Sequence, residues 1–270
     1  MVSGTWLKRI RALGMKKYRD AEGLFVGEGP KVVDELMSAF PCVYLVGTEE
    51  GLKALTPEKI AVATQVEVIT EAMLSRLSFL QHPQHILGVF TLPASSHFPL
   101  EVAQSQLCIA LDGVQDPGNV GTILRVADWW GIEHIVCSPD TADAFAPKVV
   151  QASMGAVARI HVYRSQLPDL LMSMPDVPVY GTFLDGKDIY QETLTSNGLI
   201  VMGNEGKGIR QETEKRVTHR LLVPSFPAGR PTSESLNVAI ATAVVCAEFR
   251  RRSSQSNGFT GSDIMSFCIF

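Results

Sequence analysis

Short apolar runs alternate with amphipathic stretches in the first third of the chain. The pattern predicts strands at 24–26, 43–46, 66–69 and 86–90, with helices over 30–39 and 70–77 and a basic helix ahead of the first strand. Thr70 is the expected cap of the helix over 70–77, which carries Met73, Leu74 and Leu77 on one face. This alternation predicts a small α/β domain over residues 1–91.

The alternation is clearer after residue 104. Strands are predicted at 107–111, 135–137, 160–163, 177–183, 199–202 and 220–223, and helices at 119–130, 147–158 and 234–252. Such a pattern is typical of a mostly parallel sheet with helices on both faces, here a domain over 105–252. The stretch 92–104 contains two prolines and little periodicity and is predicted to be a linker, while the pattern leaves the tail 253–270 unplaced.

Composition narrows the class of protein. With 270 residues, 46% of them hydrophobic, the chain can bury one large or two modest cores. No apolar run approaches the roughly 20 residues of a membrane helix, and Lys8, Arg9 and Arg11 interrupt any signal-peptide core. We therefore expect a cytoplasmic protein that does not contact a membrane. The five scattered cysteines form no CxxC pair, and His82 and His85 have no supporting ligands, so no metal site is expected.

Charge gives a mixed indication about nucleic acid. A net charge of −4 argues mildly against a chain coated in nucleic acid. Basic residues nevertheless concentrate in 1–31, and a local basic surface can hold phosphates on an acidic protein. On charge alone, an RNA-binding surface and a solvated amphipathic helix are equally good interpretations.

Three polar and glycine-containing blocks each follow a predicted strand. They are Asp116-Pro117-Gly118-Asn119-Val120-Gly121-Thr122-Ile123-Leu124-Arg125, Gly203-Asn204-Glu205-Gly206-Lys207-Gly208 and Ser235-Leu236-Asn237-Val238-Ala239. Ligands of parallel sheets bind beyond the carboxyl ends of the strands, where these blocks are predicted to lie. The glycine spacing fits neither a dinucleotide fingerprint nor a P-loop, and a lone block of this kind is also typical of a tight turn.

Asn119 and Arg125 have both structural and functional interpretations. Asn119 could cap the helix that follows Pro117-Gly118. Arg125 lies about 240° further round that helix, so the two side chains share a site only if Asn119 belongs to the loop. Because its neighbours are apolar, Arg125 needs a partner, which could be Asp112, Asp116 or a substrate phosphate.

The last predicted helix is rich in alanine and apolar nearly all round. Such a helix is buried on several sides, either as a core helix or as one shared with a second subunit. Ser235 and Asn237 at its start would present polar groups and free N–H donors to a ligand.

Together the three blocks resemble the SpoU/TrmH-type RNA ribose 2′-O-methyltransferases of the SPOUT superfamily, along the whole of 105–252. The first family motif is carried by Asn119, Gly121 and Arg125, the second by 203–206, and the third runs from 223–224 to 235–238. Residues 1–91, with Gly27-Glu28-Gly29, more loosely resemble the substrate-binding domain of ribosomal-protein-like fold that precedes this catalytic domain.

The resemblance implies an α/β fold with a trefoil knot in the C-terminal domain, and a homodimer with each active site near the dimer interface. It also implies S-adenosylmethionine as the cofactor, held mainly by backbone groups. The residues expected to bind it are Gly203, Asn204, Gly206, Val223, Pro224 and Leu236. Two departures from the family are a longer stretch over 225–234, which could reshape the pocket, and Ala239 where relatives often have Ser.

The resemblance further implies a catalytic set made of Asn119, Arg125, Glu205, Ser235 and Asn237. Family argument gives Arg125 the role of base, but a guanidinium group keeps its proton near neutral pH, so a free guanidine is rare. We therefore expect Arg125 to anchor the target phosphate or ribose, Asn119 to orient the ribose, and Glu205 to orient neighbouring groups. Ser235 and Asn237 would hold the substrate or organise the loop. A phosphate or a water would take the proton.

The expected substrate is RNA, with ribosomal RNA favoured over tRNA because of the extra N-terminal domain. The alternatives are a tRNA ribose methyltransferase and a catalytically silent RNA-binding protein that kept the fold. A methyltransferase acting on a base or a protein is disfavoured by the Asn119 and Arg125 pairing.

Overall fold

The structure is a computed structural model that describes residues 4–227, 230–231, 233 and 235–256. Its helices are α1 Gly4–Ala12, α2 Lys16–Glu22, α3 Pro30–Met37, α4 Glu49–Lys53, α5 Pro57–Ala61, α6 Glu71–Leu77, α7 Val102–Ser105, α8 Pro117–Trp129, α9 Pro147–Ser153, α10 Leu167–Met172, α11 Gln211–Glu214 and α12 Val238–Ser256. Its strands are β1 Leu24–Glu28, β2 Cys42–Gly47, β3 Val66–Val68, β4 Ile86–Thr91, β5 Leu107–Asp112, β6 His134–Cys137, β7 His161–Arg164, β8 Val179–Asp188, β9 Gly198–Gly203 and β10 His219–Leu222. A 3₁₀ turn, Ala156–Ala158, follows α9.

The N-terminal part is a four-stranded mixed sheet with helices packed on it. The strand order is β1-β4-β2-β3, in which β4 runs antiparallel to β1 and β2, and β3 runs parallel to β2. Every residue of β1 is buried, because the strand is covered on both faces. The predicted cap is confirmed: Thr70 Oγ1 accepts a hydrogen bond from the Met73 backbone N–H at 3.3 Å. The basic helix divides into α1 and α2.

The C-terminal part confirms the predicted parallel sheet. Six strands lie in the order β10-β8-β9-β5-β6-β7, and every neighbouring pair is parallel. The central strands β5 and β6 are buried along their whole length, as expected for continuous apolar runs covered by helices on both faces. The carboxyl ends of β5, β8, β9 and β10 are therefore available to form a site.

Two predicted helices differ from the observed ones by more than two residues at one end or both. The helix over 147–158 is interrupted, because Met154 and Gly155 adopt left-handed backbone conformations with φ of 53° and 88°. The last helix begins at Val238 rather than at 234, because Asn237 Oδ1 accepts from the backbone N–H of Ala239 and so caps it. It extends to Ser256, into the segment predicted to be a tail; residues 257–270 lie outside the described residues.

The two sheets are joined by a continuous core. The Phe145 ring makes edge contacts with Phe25, at 5.0 Å between centroids, and with Phe40, at 6.1 Å. Arg19 of α2, 2% exposed, donates from Nε at 3.1 Å and from Nη2 at 2.5 Å to Asp143 Oδ2 across this interface. The N-terminal sheet is therefore docked directly on the parallel sheet.

The segment 92–104, predicted to be a linker, packs against the parallel sheet. Its Phe98 is buried and makes an edge contact with Tyr163 at 5.4 Å, and the short helix α7 begins within it. Across the described residues, no helix combines the length and the apolar character that crossing a membrane requires.

Candidate active site

A cavity of about 600 Å³ lies beyond the carboxyl ends of β8, β9 and β10. It brings together most of the residues predicted to bind the cofactor. Gly203, Asn204, Gly206, Val223 and Leu236 line it, together with Glu205 and Ser235 from the predicted catalytic set. Pro224 is exposed and lies next to the lining residue Val223 without being part of the lining.

The glycine loop 203–208 forms the floor of this cavity through its backbone. Asn204 and Gly208 exchange backbone hydrogen bonds at 2.9 Å, which closes a tight turn. A Cβ on Gly203 would lie 2.3 Å from the Gly208 carbonyl carbon, so no larger residue fits there, and Gly208 has φ of +69°. The Asn204 side chain holds the turn, donating to the Gly113 carbonyl at 2.7 Å and accepting from the Gly206 N–H at 3.0 Å. Asn204 therefore acts on the cavity chiefly by fixing this loop.

The three sequence blocks meet in one chain of hydrogen bonds. Asn237 Nδ2 donates to Asn119 Oδ1 at 2.9 Å, and Asn119 Nδ2 donates to Glu205 Oε1 at 3.0 Å. The expectation that Asn119 could cap α8 is wrong: Asp116 is the N-cap, and its Oδ1 accepts from the Asn119 backbone N–H at 2.9 Å. Because Asp116 makes the cap, the Asn119 side chain is available to join Glu205 and Asn237.

Glu205 is held as a carboxylate. Partial burial raises its pKa, but hydrogen bonds from the Asn119 side chain and from backbone N–H groups, including those of Asp116 and Gln115, outweigh burial and bring the pKa below its ordinary value of 4.5. The Gln115 and Asp116 bonds measure 3.3 and 3.2 Å. A carboxylate that already accepts several hydrogen bonds is well suited to orient donors and poorly suited to remove a proton near neutral pH.

Arg125 is exposed on α8, and the expectation of a protein partner at Asp112 or Asp116 is wrong. Asp112 is buried and accepts from Arg210 Nε at 2.7 Å, while Asp116 lies 3.9 Å from Lys148 Nζ. Within the described part of the chain, no hydrogen bond or ion pair is formed by the Arg125 guanidinium. The physical reason is that this face of α8 is open to solvent, so the charge needs no protein partner.

Sequence reasoning missed one wall of the cavity. Thr182, Phe183 and Leu184 of β8, with Glu214 and Arg220, also line the cavity. The predicted strand over 177–183 ends at this wall, and the rule that ligands bind past the ends of parallel strands could have indicated it. The Asp116 cap was likewise available from Asp followed by Pro at the first helical position.

A second missed feature fixes the loops beneath the site. Arg210 donates to Asp112 from both its backbone N–H, at 2.9 Å, and its Nε, and its Nη2 donates to Asp140 at 2.7 Å. The Gly113 N–H donates to Ser138 Oγ at 2.8 Å. These bonds join the end of β5 to the segment that follows the glycine loop, so the first two sequence blocks are held in fixed relation.

Comparison with protein families assigns both parts of the chain. Residues 106–247 match the SpoU rRNA Methylase family, and residues 5–88 match the MRM3-like substrate binding domain. The first match covers more than half of the chain and includes all three sequence blocks. The chain belongs to the SpoU rRNA methylase family.

Individual relatives match over nearly the whole chain. The 23S rRNA (guanosine(2553)-2′-O)-methyltransferase RlmP of Bacillus subtilis is 30% identical, over 90% of this chain and 95% of its own length. A TrmH-family structure from Porphyromonas gingivalis is 43% identical, with a TM-score of 0.83 over 93% of this chain and 99% of that chain. An AdoMet-bound rRNA methyltransferase from Sinorhizobium meliloti is 31% identical, with a TM-score of 0.79 over 93% and 96%. These structures confirm the predicted α/β fold class.

Proposed function

We propose that this chain transfers the methyl group of S-adenosylmethionine to a ribose 2′-OH of ribosomal RNA. The observation that carries the proposal is the hydrogen-bonded chain Asn237–Asn119–Glu205 beside the cavity of about 600 Å³. The Bacillus subtilis relative is named as a 23S rRNA 2′-O-methyltransferase, and the Sinorhizobium meliloti relative is an rRNA methyltransferase with AdoMet bound. In both cases the match spans more than nine-tenths of the relative's own length.

The residues of the cavity fit this cofactor. Sites for small molecules of this size combine apolar walls with a few fixed polar groups. Here Leu221, Val238 and Ala241 give apolar surface for an adenine ring and an aliphatic chain, and the backbone of 203–208 gives polar groups at fixed positions. We assign the cofactor to Gly203, Asn204, Gly206, Val223 and Leu236, with Pro224 supporting the adjacent backbone.

Asn119 is assigned to orient the ribose. Its Oδ1 accepts from Asn237 and its Nδ2 donates to Glu205, which fixes the amide plane and leaves one N–H free for a hydroxyl oxygen. When bound, S-adenosylmethionine would supply an activated methyl group; its transfer to the 2′-oxygen would leave a neutral thioether, and a phosphate or a water would take the hydroxyl proton. We assign Glu205 to holding Asn119 rather than to taking that proton, because its pKa lies below the ordinary value. Ser235, exposed at the cavity edge, is assigned to contact with the substrate.

Arg125 is assigned to the RNA in a homodimer. Six positions on a helix separate it from Asn119 by about 240°, so one chain does not aim both at the same ribose. Trp129, four residues after Arg125 and on the same face of α8, is 67% exposed, and Ile240 of α12 is 54% exposed. A second copy covering this surface would bring its own Arg125 to the neighbouring site. We also propose the trefoil knot of the SPOUT superfamily in the C-terminal part and a cytoplasmic location.

The first experiment is calorimetric titration of the purified protein with S-adenosylmethionine, followed by methyl transfer to deproteinised ribosomal RNA and to tRNA. We expect saturable, micromolar binding in the wild type and in an Arg125→Ala control, and transfer to ribosomal RNA only in the wild type. An oligonucleotide with 2′-deoxyribose at the target should accept no methyl group. Cofactor binding without methyl transfer to any RNA would favour a catalytically silent RNA-binding protein. Methyl transfer to tRNA alone would mean that the substrate is tRNA and not ribosomal RNA.

The shared site is tested by mixing two inactive variants. Asn119→Ala and Arg125→Ala homodimers, unfolded and refolded together, should form heterodimers in which one site has both residues. Activity should return to about a quarter of the wild-type value, the share expected for statistical mixing with one intact site per heterodimer. No recovery, in a mixture shown by light scattering to be dimeric, would mean that both residues act from one chain.

A further inference from the structure

Strand β8 leaves the sheet at the wall of the cavity. Its pairing with β10 runs from Tyr180 opposite His219 to Gly181 opposite Arg220, and resumes only at Lys187 opposite Leu221. The segment 182–186 therefore has no partner on β10; we name it the β8 excursion. Three of its residues, Thr182, Phe183 and Leu184, line the cavity. The position of this excursion decides the width of the cavity at that wall.

One side chain holds the β8 excursion from the neighbouring strand. The Arg220 guanidinium carbon lies 3.7 Å from the centroid of the Phe183 ring, a close cation–π contact. The Nη2 group of Arg220 donates to Asp185, and the Nη1 group donates to Glu214 at the end of α11. At the far end, the Gly186 backbone packs on Leu221 so closely that a Cβ would lie 2.4 Å from the Leu221 carbonyl carbon. Arg220 thus joins the excursion to both β10 and α11.

We propose that Arg220 is a positioning residue for the cofactor cavity, which holds the β8 excursion in the conformation that binds the cofactor. The inference rests on the proposed function, because it takes S-adenosylmethionine as the occupant. Arg220 acts through Phe183 and Asp185 rather than through the reacting atoms. A guanidinium group suits this role, since it is planar and has several N–H donors, and it contacts the Asp185 and Glu214 carboxylates and the Phe183 ring at once.

The energetics favour a role in positioning over a role in folding. The side chains of Arg220, Asp185 and Glu214 are 36%, 76% and 39% exposed, and ion pairs so accessible to water add little to folding stability. The contact with Arg220 nevertheless affects Asp185, because the hydrogen bond from Arg220 holds the pKa of the Asp185 carboxyl below its ordinary value. A free strand segment samples many conformations, and ordering it when the cofactor binds would reduce affinity.

The test compares Arg220→Gln with the matched control Arg216→Gln in the full-length protein. Arg216 lies between α11 and β10, is exposed and does not line the cavity, and its Nη2 donates to the Met172 sulfur at 3.5 Å. The affinities for S-adenosylmethionine and S-adenosylhomocysteine are measured by calorimetry, and the melting temperature by circular dichroism. We expect Arg220→Gln to bind both compounds roughly tenfold more weakly, with an unchanged melting temperature, and Arg216→Gln to match the wild type.

Two further measurements separate positioning from a general structural effect. Methylation by Arg220→Gln should show a raised KM for S-adenosylmethionine and an unchanged kcat, and Arg220→Lys, which keeps the charge over Phe183, should recover part of the affinity. Hydrogen exchange in 182–186 of the free protein should be faster in Arg220→Gln than in the control. If Arg220→Gln and the wild type bind S-adenosylmethionine equally well, the positioning role of Arg220 is overturned and the proposed function is not. A folded wild type that binds neither compound would overturn the proposed function and this inference with it.

Discussion

The exposed guanidinium of Arg125 supports its assignment to the RNA. It is exposed on α8, and its charge is not neutralised by any group in the described part of the chain. We expect Arg125→Lys to lose nearly as much kcat/KM as Arg125→Ala, roughly 10²-fold or more, because an ammonium group cannot reproduce a two-pronged contact with phosphate or ribose. Methyl transfer to ribosomal RNA measures this, with cofactor affinity as the control. Near-normal turnover of the Lys variant would contradict the anchoring role.

Glu205 allows a prediction of pH dependence. Its pKa in the folded protein is lowered, so its hydrogen bonds stabilise the fold above the ordinary value of 4.5 and are lost as the pH falls through the folded pKa. In Glu205→Gln this acid-side loss should be absent. The difference in unfolding free energy between wild type and variant should therefore be constant near neutral pH and shrink below pH 4.5. Chemical denaturation across this range measures it, and a constant difference down to the lowest pH would contradict the assignment.

The same substitution should affect catalysis more than cofactor binding. A Gln at position 205 can turn a donor toward Asn119 and so disturb the amide plane fixed by Asn237. We expect roughly 10²-fold lower methyl transfer at neutral pH, with cofactor affinity changed only slightly. Calorimetry and RNA methylation on the same preparation separate the two effects.

At the scale of elements, the crossing of α8 and α9 depends on Gly121. A Cβ there would lie 2.5 Å from the Ala152 Cβ and 2.7 Å from the Val149 carbonyl oxygen. We expect Gly121→Ala to push the helices apart and lower the unfolding free energy by about 1–3 kcal/mol. Because α8 carries Asn119 and Arg125, methylation should fall as well. Thr122→Ala, which removes only a hydroxyl bond to the Gly118 carbonyl within α8, is the control and should cost less than about 1 kcal/mol. Equal stabilities for the two variants would contradict the close-packing argument.

The elements show what the sequence could predict and what it could not. Every predicted strand is present, because alternating apolar runs depend on local burial on both faces of a sheet. The short helices α4, α5, α7, α10 and α11 were missed, since four to six residues form fewer than two turns and cannot show a repeating apolar face. The three blocks of the site were visible in the sequence and the resemblance to a known family gave their residues roles, but the bond between Asn119 and Asn237 joins residues far apart in sequence, so only the fold reveals it. The Arg220 contact to Phe183 was missed for the same reason.

At the scale of the whole molecule, the N-terminal and C-terminal parts are held together by a buried ion pair. Arg19 is 2% exposed, its Nη2 lies 2.5 Å from Asp143 Oδ2, and its Nη1 donates to the Leu13 carbonyl at 2.8 Å. Arg159 forms a second connection by pairing with Glu35 of α3, while Asp128 of α8 holds the same guanidinium from within the C-terminal part. A substrate-binding domain fixed in this way would present RNA to the active site at a set distance.

Breaking the buried pair from one side should therefore be costly. Asp143→Ala leaves the Arg19 charge buried without its carboxylate, and we expect a loss of about 3–5 kcal/mol in unfolding free energy. The double variant Arg19→Met with Asp143→Leu removes both charges from the apolar interface around Phe145 and should recover most of that loss. Chemical denaturation of the wild type, the single variants Arg19→Met and Asp143→Leu, and the double variant measures the coupling. If the losses of the single variants simply add in the double variant, the pair does not join the two parts.

A second unfolding transition in Asp143→Ala, with cofactor affinity retained, would show the N-terminal part separating while the cavity survives. In that case methylation of intact ribosomal RNA should fall more steeply than cofactor binding, because the RNA would no longer be held at a fixed distance from Asn119.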